Sequence, residues 1–250
     1  MSIEVFFTPL GLKPADVAGK PVLVIDVLRA TTTMIAALAH GARGIVPAAS
    51  PDEAIRMAQG LAPDGVLLAG ERGCRPIEGF HLGNSPREMT ADVVAGQTIV
   101  MATTNGTPAL VAAEGGRPVM VAAVTNFSAA VERARAAFEA GGEIVILCSG
   151  REKRFALEDA YVAGRMVRAL TPDSRRRETG LDDAAIAALQ LVRRYGDRWK
   201  RAVRASAAAR HLTELGYQED VAAATEMDTH SLVPIYAERR VTGLAPARVS

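Results

Sequence analysis

Residues 66–88, VLLAGERGCRPIEGFHLGNSPRE, join a short apolar run to a long connection that is rich in glycine and charged side chains. The run 66–69 is typical of a buried parallel strand. A connection as long as 70–88 is uncommon in a compact domain unless it is functional or disordered. Because Phe80 and Leu82 argue against disorder, we interpret residues 70–88 as a folded binding loop at the end of a strand, where open α/β sheets bind ligands.

Strand-like and helix-like segments alternate on both sides of this stretch. Strands are expected at residues 3–7, 21–26, 44–48, 65–69, 97–102, 118–123 and 143–148, and helices at residues 29–41, 51–61, 109–115, 129–140 and 155–170. This alternation favours an α/β fold with a mainly parallel sheet that is flanked by helices.

The composition shifts after residue 149 towards alanine and arginine. Two or three packed helices are expected in residues 181–216, then a helix and a short late strand, while residues 171–180 are expected to form an exposed linker or loop. We therefore divide the chain into an α/β core with the candidate site, residues 1–170, and a helix-rich C-terminal subdomain, residues 171–250, that completes the same compact unit.

Charge and composition exclude several classes of protein. The 29 Lys and Arg residues nearly balance the 28 Asp and Glu residues, so no overall basic charge points to nucleic acid or membrane partners. The two cysteines make no disulfide framework, and neither a secretion signal nor an apolar run of about 18 residues is apparent. We expect a soluble, cytoplasmic protein, and the alanine-rich helices favour a homo-oligomer.

The basic residues within 193–204 are interpreted as a solvated helix face. The alternative, an RNA-binding helical module at residues 181–216, predicts an affinity that falls steeply with salt concentration.

Polar residues follow the predicted strands one after another. They are Asp26, Gly70-Glu71, Thr103-Thr104-Asn105, Thr125-Asn126 and Cys148-Ser149-Gly150. If the strands are parallel, all five clusters lie along one edge of the sheet. Each cluster also has a structural interpretation: Asp26 as a helix N-cap, Glu71 with Arg72 as a surface ion pair, and residues 103–105 as a helix cap.

These residue types suit one kind of ligand. Carboxylate oxygens bind Mg²⁺, and arginine binds phosphate through two parallel hydrogen bonds. The sequence therefore predicts a phosphorylated or otherwise polyanionic ligand that is held through Mg²⁺.

Two phosphatase patterns can be tested on the residues. The aspartyl nucleophile pattern of haloacid dehalogenases needs an acid two positions after Asp26, where this chain has Leu28. Cys148 and Arg154 have the C-x5-R spacing of cysteine-dependent phosphatases, which leaves a thiolate nucleophile as an alternative on weak grounds. The four histidines lack metal-ligand spacing, and no P-loop or G-x-G-x-x-G pattern occurs.

Several ordered motifs together resemble the 2-phosphosulfolactate phosphatase (ComB) family. They are residues 26–33 (DVLRATTT), 70–72 (GER), 78–80 (EGF), 83–86 (GNSP), 103–107 (TTNGT), 148–150 (CSG), 158–159 (ED) with 163–164 (AG), and the late segments at 220–221 and 233–234. The resemblance implies a ComB-like α/β fold and a Mg²⁺-dependent acid phosphatase that converts (R)-2-phospho-3-sulfolactate to (R)-3-sulfolactate and phosphate. In methanogens this reaction is a step of coenzyme M biosynthesis.

The resemblance and the strand ends together give the candidate site. Candidate catalytic residues are Asp26, Arg29, Glu71 and Arg72, with the two arginines as anion clamps; candidate substrate-binding residues are Asn84, Ser85, Thr103, Thr104, Asn105, Gly106, Asn126, Ser149 and Gly150; candidate metal ligands are Asp26, Glu71, Glu158 and Asp159. Glu158 or Asp159 is alternatively a general base. The nucleophile stays open between water and a side chain, with Mg²⁺-assisted attack by water preferred.

Two further functions remain open. The alanine and arginine content suggests a bacterial source, so the substrate could be another small phosphorylated hydroxy acid. A non-catalytic anion-binding protein would keep the same polar edge but release no phosphate.

Overall fold

The computed structural model describes residues 1–61, 65–171 and 180–244. The strands are β1 (Ser2–Phe6), β2 (Val22–Ile25), β3 (Gly44–Ala48), β4 (Val66–Arg72), β5 (Arg75–Pro76), β6 (Thr98–Ala102), β7 (Val119–Ala122), β8 (Glu143–Cys148), β9 (Val233–Ala237) and β10 (Arg240–Leu244). The helices are α1 (Pro14–Val17), α2 (Ala30–Ala39), α3 (Pro51–Gln59), α4 (Ala91–Val94), α5 (Gly106–Ala112), α6 (Phe127–Gly141), α7 (Leu157–Leu170), α8 (Asp183–Tyr195), α9 (Trp199–Arg204), α10 (Ala207–Glu214) and α11 (Gln218–Ala223). Single 3₁₀ turns lie at Pro86–Glu88 and Val124–Asn126.

The sheet has the strand order β1-β8-β2-β7-β9-β10-β3-β6-β4-β5. Strands β1, β8, β2 and β7 are parallel to one another, and so are β3, β6 and β4. The α/β fold with a mainly parallel sheet is therefore confirmed.

The hairpin β9–β10 lies between the two parallel groups and is antiparallel to both neighbours, β7 and β3. The expected late strand is present as β9, and β10 was not predicted. Glu238 and Arg239 form the hairpin turn with φ values of 50° and 59°, which are normally found at glycine or asparagine. The sequence consequently carries no hairpin signal at this point.

Helices α2 and α5 bridge the two parallel groups of strands. Helix α5 contacts both β2 and β3, which are four strand positions apart, or about 19 Å in a flat sheet. Helices α2 and α5 share one hydrophobic cluster with strands from both groups. The two groups are therefore packed together through these helices although they run in opposite directions along the sheet.

The connection at residues 70–88 is folded, as predicted. Strand β4 continues to Arg72 and turns back through β5. The chain then returns beside β4, where the amide of Gly70 donates to the carbonyl of Leu82 at 3.1 Å. A Cβ on Gly70 would lie 2.1 Å from the carbonyl oxygen of Ala102, so only glycine fits this crossing.

The C-terminal helices share the core of the sheet. Helices α8 to α11 belong to the same hydrophobic cluster as β1, β2 and β8. Trp199 of α9 packs edge-on against Phe127 at 4.9 Å and Tyr161 at 5.4 Å between ring centroids. Of the predicted linker 171–180, residues 172–179 lie outside the described residues.

The predicted solvated face of the C-terminal helices is confirmed. All six of its cations are exposed: Arg193, Arg194, Arg198, Lys200, Arg201 and Arg204. Among the described residues, no helix has both the length and the hydrophobicity that crossing a bilayer requires.

Candidate active site

A polar cavity lies where the loops after four strands meet helices α7 and α10. Its lining residues are Asp26, Leu28 and Arg29 after β2; Glu71, Gly73, Cys74 and Asn84 from the end of β4 and the connection beyond it; Thr103, Thr104 and Asn105 after β6; Gly150, Arg151 and Glu152 after β8; Glu158 and Asp159 of α7; and Ala208 and His211 of α10. Ten predicted site residues thus meet in one cavity: Asp26, Arg29, Glu71, Asn84, Thr103, Thr104, Asn105, Gly150, Glu158 and Asp159.

Asp159 ties the end of β2 to the end of β8. Its Oδ1 accepts a hydrogen bond from the amide of Val27 at 2.9 Å. Its Oδ2 accepts hydrogen bonds from the amide of Gly150 and the hydroxyl of Ser149, both at 3.2 Å. Asp26 lies beside this junction and accepts from the amide of Ala30 at 3.0 Å, at the start of α2.

Three buried carboxyl groups have raised pKa values. Burial is the largest cause for each, because it disfavours the charged form. It raises the pKa of Asp26 to about 6, with the negative charge of Glu71 adding to the effect. It raises the pKa of Glu158 to about 7 and that of Asp159 well above its usual range, and repulsion from Asp26 contributes to both. A bound cation would relieve this repulsion.

Glu71 joins two loops of the other parallel group. Its Oε1 accepts from the amide of Thr104 at 2.6 Å, and its Oε2 accepts from the amide of Cys74 at 2.8 Å. Arg72 follows Glu71 within β4, and successive strand side chains point to opposite faces. Arg72 accordingly does not line the cavity, and its Nη1 donates to the carbonyl of Glu71 at 2.8 Å.

Basic side chains reach the cavity from three different elements. Arg29 lies at the start of α2, Arg151 follows Gly150, and His211 belongs to α10. A Cβ on Gly150 would lie 2.4 Å from the carbonyl oxygen of Arg154, so glycine permits the tight turn that presents Arg151. Sequence reasoning missed Arg151 and His211: Arg151 adjoins the Ser149-Gly150 cluster and could have been found, whereas His211 carries no local signal.

Two buried polar atoms at the cavity have no protein partner. They are Oδ1 of Asn84 and Oγ1 of Thr104. An unpaired buried polar atom costs about 1–3 kcal/mol, so a ligand or water that bonds to these atoms would be stabilised.

The oxygen donors of the cavity fit Mg²⁺ in part. Among the described residues, no three His, Cys, Asp or Glu side chains form a group that could hold a metal ion. Mg²⁺ commonly binds through one or two carboxylates, water and substrate phosphate. The cavity offers Asp26, Glu158 and the unpaired oxygen of Asn84, which is the small number of protein ligands that Mg²⁺ usually has.

Four further predicted residues do not line the cavity, and their contacts differ. The hydroxyl of Ser85 donates to Asp220, and that of Ser149 donates to Asp159. A Cβ on Gly106 would lie 2.8 Å from Oδ2 of Asp26. Asn126 donates to the carbonyls of Val121 and Leu232, which fixes the chain next to β9.

The side chain of Asn126 is therefore engaged in backbone hydrogen bonds away from the cavity. Neither it nor its neighbour Thr125 lines the cavity. This cluster follows β7, which is parallel to β2 and β8, so it does share the edge of Asp26 and residues 148–150. The parallel arrangement on which the expectation of one edge depended does not extend to β4 and β6, which run in the opposite direction.

The structure does not support a thiolate nucleophile. Cys148 is fully buried in β8, and burial raises the pKa of its thiol well above the usual range. It does not line the cavity, and Arg154 is exposed.

Comparisons with known proteins cover nearly the whole chain. A family model described as 2-phosphosulpholactate phosphatase matches residues 6–239. The chain is 41% identical over 213 residues to a protein of Deinococcus radiodurans, with 85% of both chains covered. It is 38% identical over 233 residues to a protein of Symbiobacterium thermophilum, covering 93% of this chain and 98% of the relative. A protein of Clostridium acetobutylicum is 32% identical over 241 residues, covering 96% and 100%. All three relatives are named probable 2-phosphosulfolactate phosphatase.

Proposed function

Because the chain belongs to the 2-phosphosulfolactate phosphatase family of phosphoric monoester hydrolases, we propose that it hydrolyses (R)-2-phospho-3-sulfolactate to (R)-3-sulfolactate and phosphate with the help of Mg²⁺. The observation that carries the proposal is the cavity itself. It combines buried carboxylates, arginine side chains and two unpaired oxygen atoms at the ends of four strands.

The proposed substrate matches the charges of the cavity. It carries a phosphate, a carboxylate and a sulfonate, and a buried anion is costly unless each charge is paired. Arg29, Arg151 and His211 approach from three elements and can bind separate anionic groups. The side chain of Asn105 adds a neutral polar group at the same cavity.

Of the oxygen donors in the cavity, Asp26 and the amide oxygen of Asn84 would hold Mg²⁺, and Glu158 would stay free of the metal. Asp159 and Glu71 are less available, because protein donors already occupy both oxygens of each carboxylate. When bound, Mg²⁺ would supply charge neutralisation for the transferring phosphoryl group.

Glu158 is the proposed proton carrier. Water attacks phosphorus, the bond from phosphorus to the C2 oxygen breaks, and that oxygen needs a proton. A carboxyl group with a pKa of about 7 is well suited to donate this proton near neutral pH. The attacking and leaving oxygens lie on opposite sides of phosphorus, so the proton that the attacking water loses passes to solvent and Glu158 regains its proton from solvent.

Phosphate release from racemic phosphosulfolactate and from phospholactate tests the proposal. We expect release that needs Mg²⁺, stops in EDTA and prefers the sulfonate. Asp26→Asn should abolish release, whereas Cys148→Ser should retain it, because Cys148 does not line the cavity.

Other results would redirect or refute the proposal. Preference for phospholactate would indicate another small phosphorylated hydroxy acid as the substrate. Thermal stabilisation by phosphosulfolactate without any phosphate release would indicate an anion-binding protein. Release that is unaffected by EDTA would refute the role of the metal.

A further inference from the structure

Arg29 is held at the cavity wall by three contacts. Its Nη1 donates to Oδ2 of Asp220 at 2.6 Å, and its Nη2 donates to the carbonyl of Cys74 at 2.9 Å. Its guanidinium carbon lies 4.4 Å from the ring centroid of Tyr217. The two hydrogen bonds fix the guanidinium within its plane, and the aromatic ring covers one face.

Asp220 is itself fixed, although it does not line the cavity. Its Oδ1 accepts from the hydroxyl of Ser85 at 2.7 Å. The side chains of Arg29 and Asp220 are each 3% exposed, so water does not replace either partner. A buried ion pair such as Arg29–Asp220 often adds little to the free energy of unfolding, because removing both charges from water is costly. Its clear structural effect is to fix the orientation of the Arg29 guanidinium.

The anchored guanidinium keeps donors for a ligand. Arginine has five N–H groups, and Asp220 and Cys74 use two of them. Because Asp220 also neutralises the charge of Arg29, net charge contributes little to binding an anion at this wall. The direction of the remaining N–H groups of Arg29 matters more. Placement of those groups then decides how well the anion binds.

We propose that Asp220 is a positioning residue that sets the orientation in which Arg29 binds an anionic oxygen of the substrate. The inference rests on the proposed function for its kinetic test. It gives helix α11 a direct part in the site, because Asp220 and Tyr217 reach Arg29 from that helix and the residue before it.

A double-mutant cycle tests the proposal. We expect Asp220→Asn to lower kcat/KM about 100-fold, as expected for a displaced clamp. In an Arg29→Met background, the same change should cost less than about 3-fold, because the side chain through which it acts is gone. Asp197→Asn is the matched control: it removes a carboxylate from Arg165 and Arg168 in the same helical region, outside the cavity, and should leave kcat/KM unchanged.

The proposal would be overturned if Asp220→Asn lowered kcat/KM by the same factor in the wild type and in Arg29→Met. It would also be overturned if Asp220→Asn lowered the melting temperature and left kcat/KM unchanged. If Asp220→Asn does not fold, Ser85→Ala provides the second variant, because it removes the hydrogen bond to Asp220 and keeps the ion pair. It should raise KM about 3- to 10-fold, as the loss of one hydrogen bond predicts, and an unchanged KM would contradict the proposal.

Calorimetric binding of inorganic phosphate separates this inference from the proposed function. Weaker phosphate binding by Asp220→Asn supports the positioning role even if wild-type protein releases nothing from phosphosulfolactate. Equal phosphate affinity in wild type and variant overturns the role, and so does a wild type that binds no phosphate.

Discussion

Replacing Asp26 with asparagine should make the metal-free protein more stable at pH 8 while it removes activity. The carboxyl group is buried, and its pKa is raised from 3.8 to about 6. A shift of this size makes ionised Asp26 unfavourable for folding by roughly 3 kcal/mol at pH 8. Asparagine keeps an Oδ1 that can accept from the amide of Ala30, but it carries no charge.

The sign of the effect follows from proton binding. Between pH 3.8 and about 6, the folded state binds more protons at Asp26 than the unfolded state does. The wild type therefore loses stability through this group as the pH rises across that window, and the loss is complete above it. The advantage of Asp26→Asn should be about half as large at pH 5 as at pH 8.

Urea unfolding in EDTA, at pH 5 and pH 8, measures this difference. The expected gain at pH 8 corresponds to a melting temperature about 6–12 °C higher for a chain of this size. Asp197→Asn is the control, because hydrogen bonding to Arg168 lowers the pKa of that exposed carboxyl and no gain is expected. An Asp26→Asn variant that is no more stable at pH 8, or whose gain is the same at pH 5, would refute the reasoning.

Three further substitutions probe the cavity and the core. Gly106→Ala places a Cβ 2.3 Å from Cβ of Ala30, so it should lower the free energy of unfolding by about 1–3 kcal/mol and reduce phosphate release. Gly141→Ala is the control, because no atom lies near the added Cβ and neither quantity should change. Arg151→Gln should raise KM about 10- to 100-fold without a change in melting temperature, since the half-exposed Arg151 lines the cavity; an unchanged KM would exclude Arg151 from binding. Cys148→Ser buries a hydroxyl, so it should lower the free energy of unfolding in urea by about 1–3 kcal/mol while KM stays unchanged. Loss of phosphate release in a folded Cys148→Ser variant would restore the thiolate hypothesis.

The sequence predicted the strands best where burial on both faces makes them continuously apolar. The predicted strands 44–48 and 143–148 coincide with β3 and β8. It located β9 but missed β10 and the hairpin, because Gly243 interrupts the strand pattern of β10 and the turn residues give no signal. Hydrophobic periodicity therefore located the layers but not the order of strands within the sheet.

For the candidate site, the sequence located the residues that follow the strands, but it did not show which of their side chains point into the cavity. Glu71 and Arg72 were predicted together, yet alternation along β4 brings only Glu71 to the cavity. His211 and Asp220 lie on helices far along the chain, where one polar residue on an amphipathic helix has no distinguishing pattern of its own, and Asp220 entered the prediction only within the resembling segment 220–221. Such contributions depend on how helices pack, which sequence periodicity does not encode.

The position of the β9–β10 hairpin also bears on how the protein is made. Strands β7 and β3 would each be an unprotected edge until residues 233–244 come between them. A ribosome that has released only residues up to 232 presents two separate half-sheets with exposed edges, so the sheet can be completed only after the late hairpin is synthesised. Loss of this hairpin should consequently cause aggregation of nascent chains rather than a milder loss of activity.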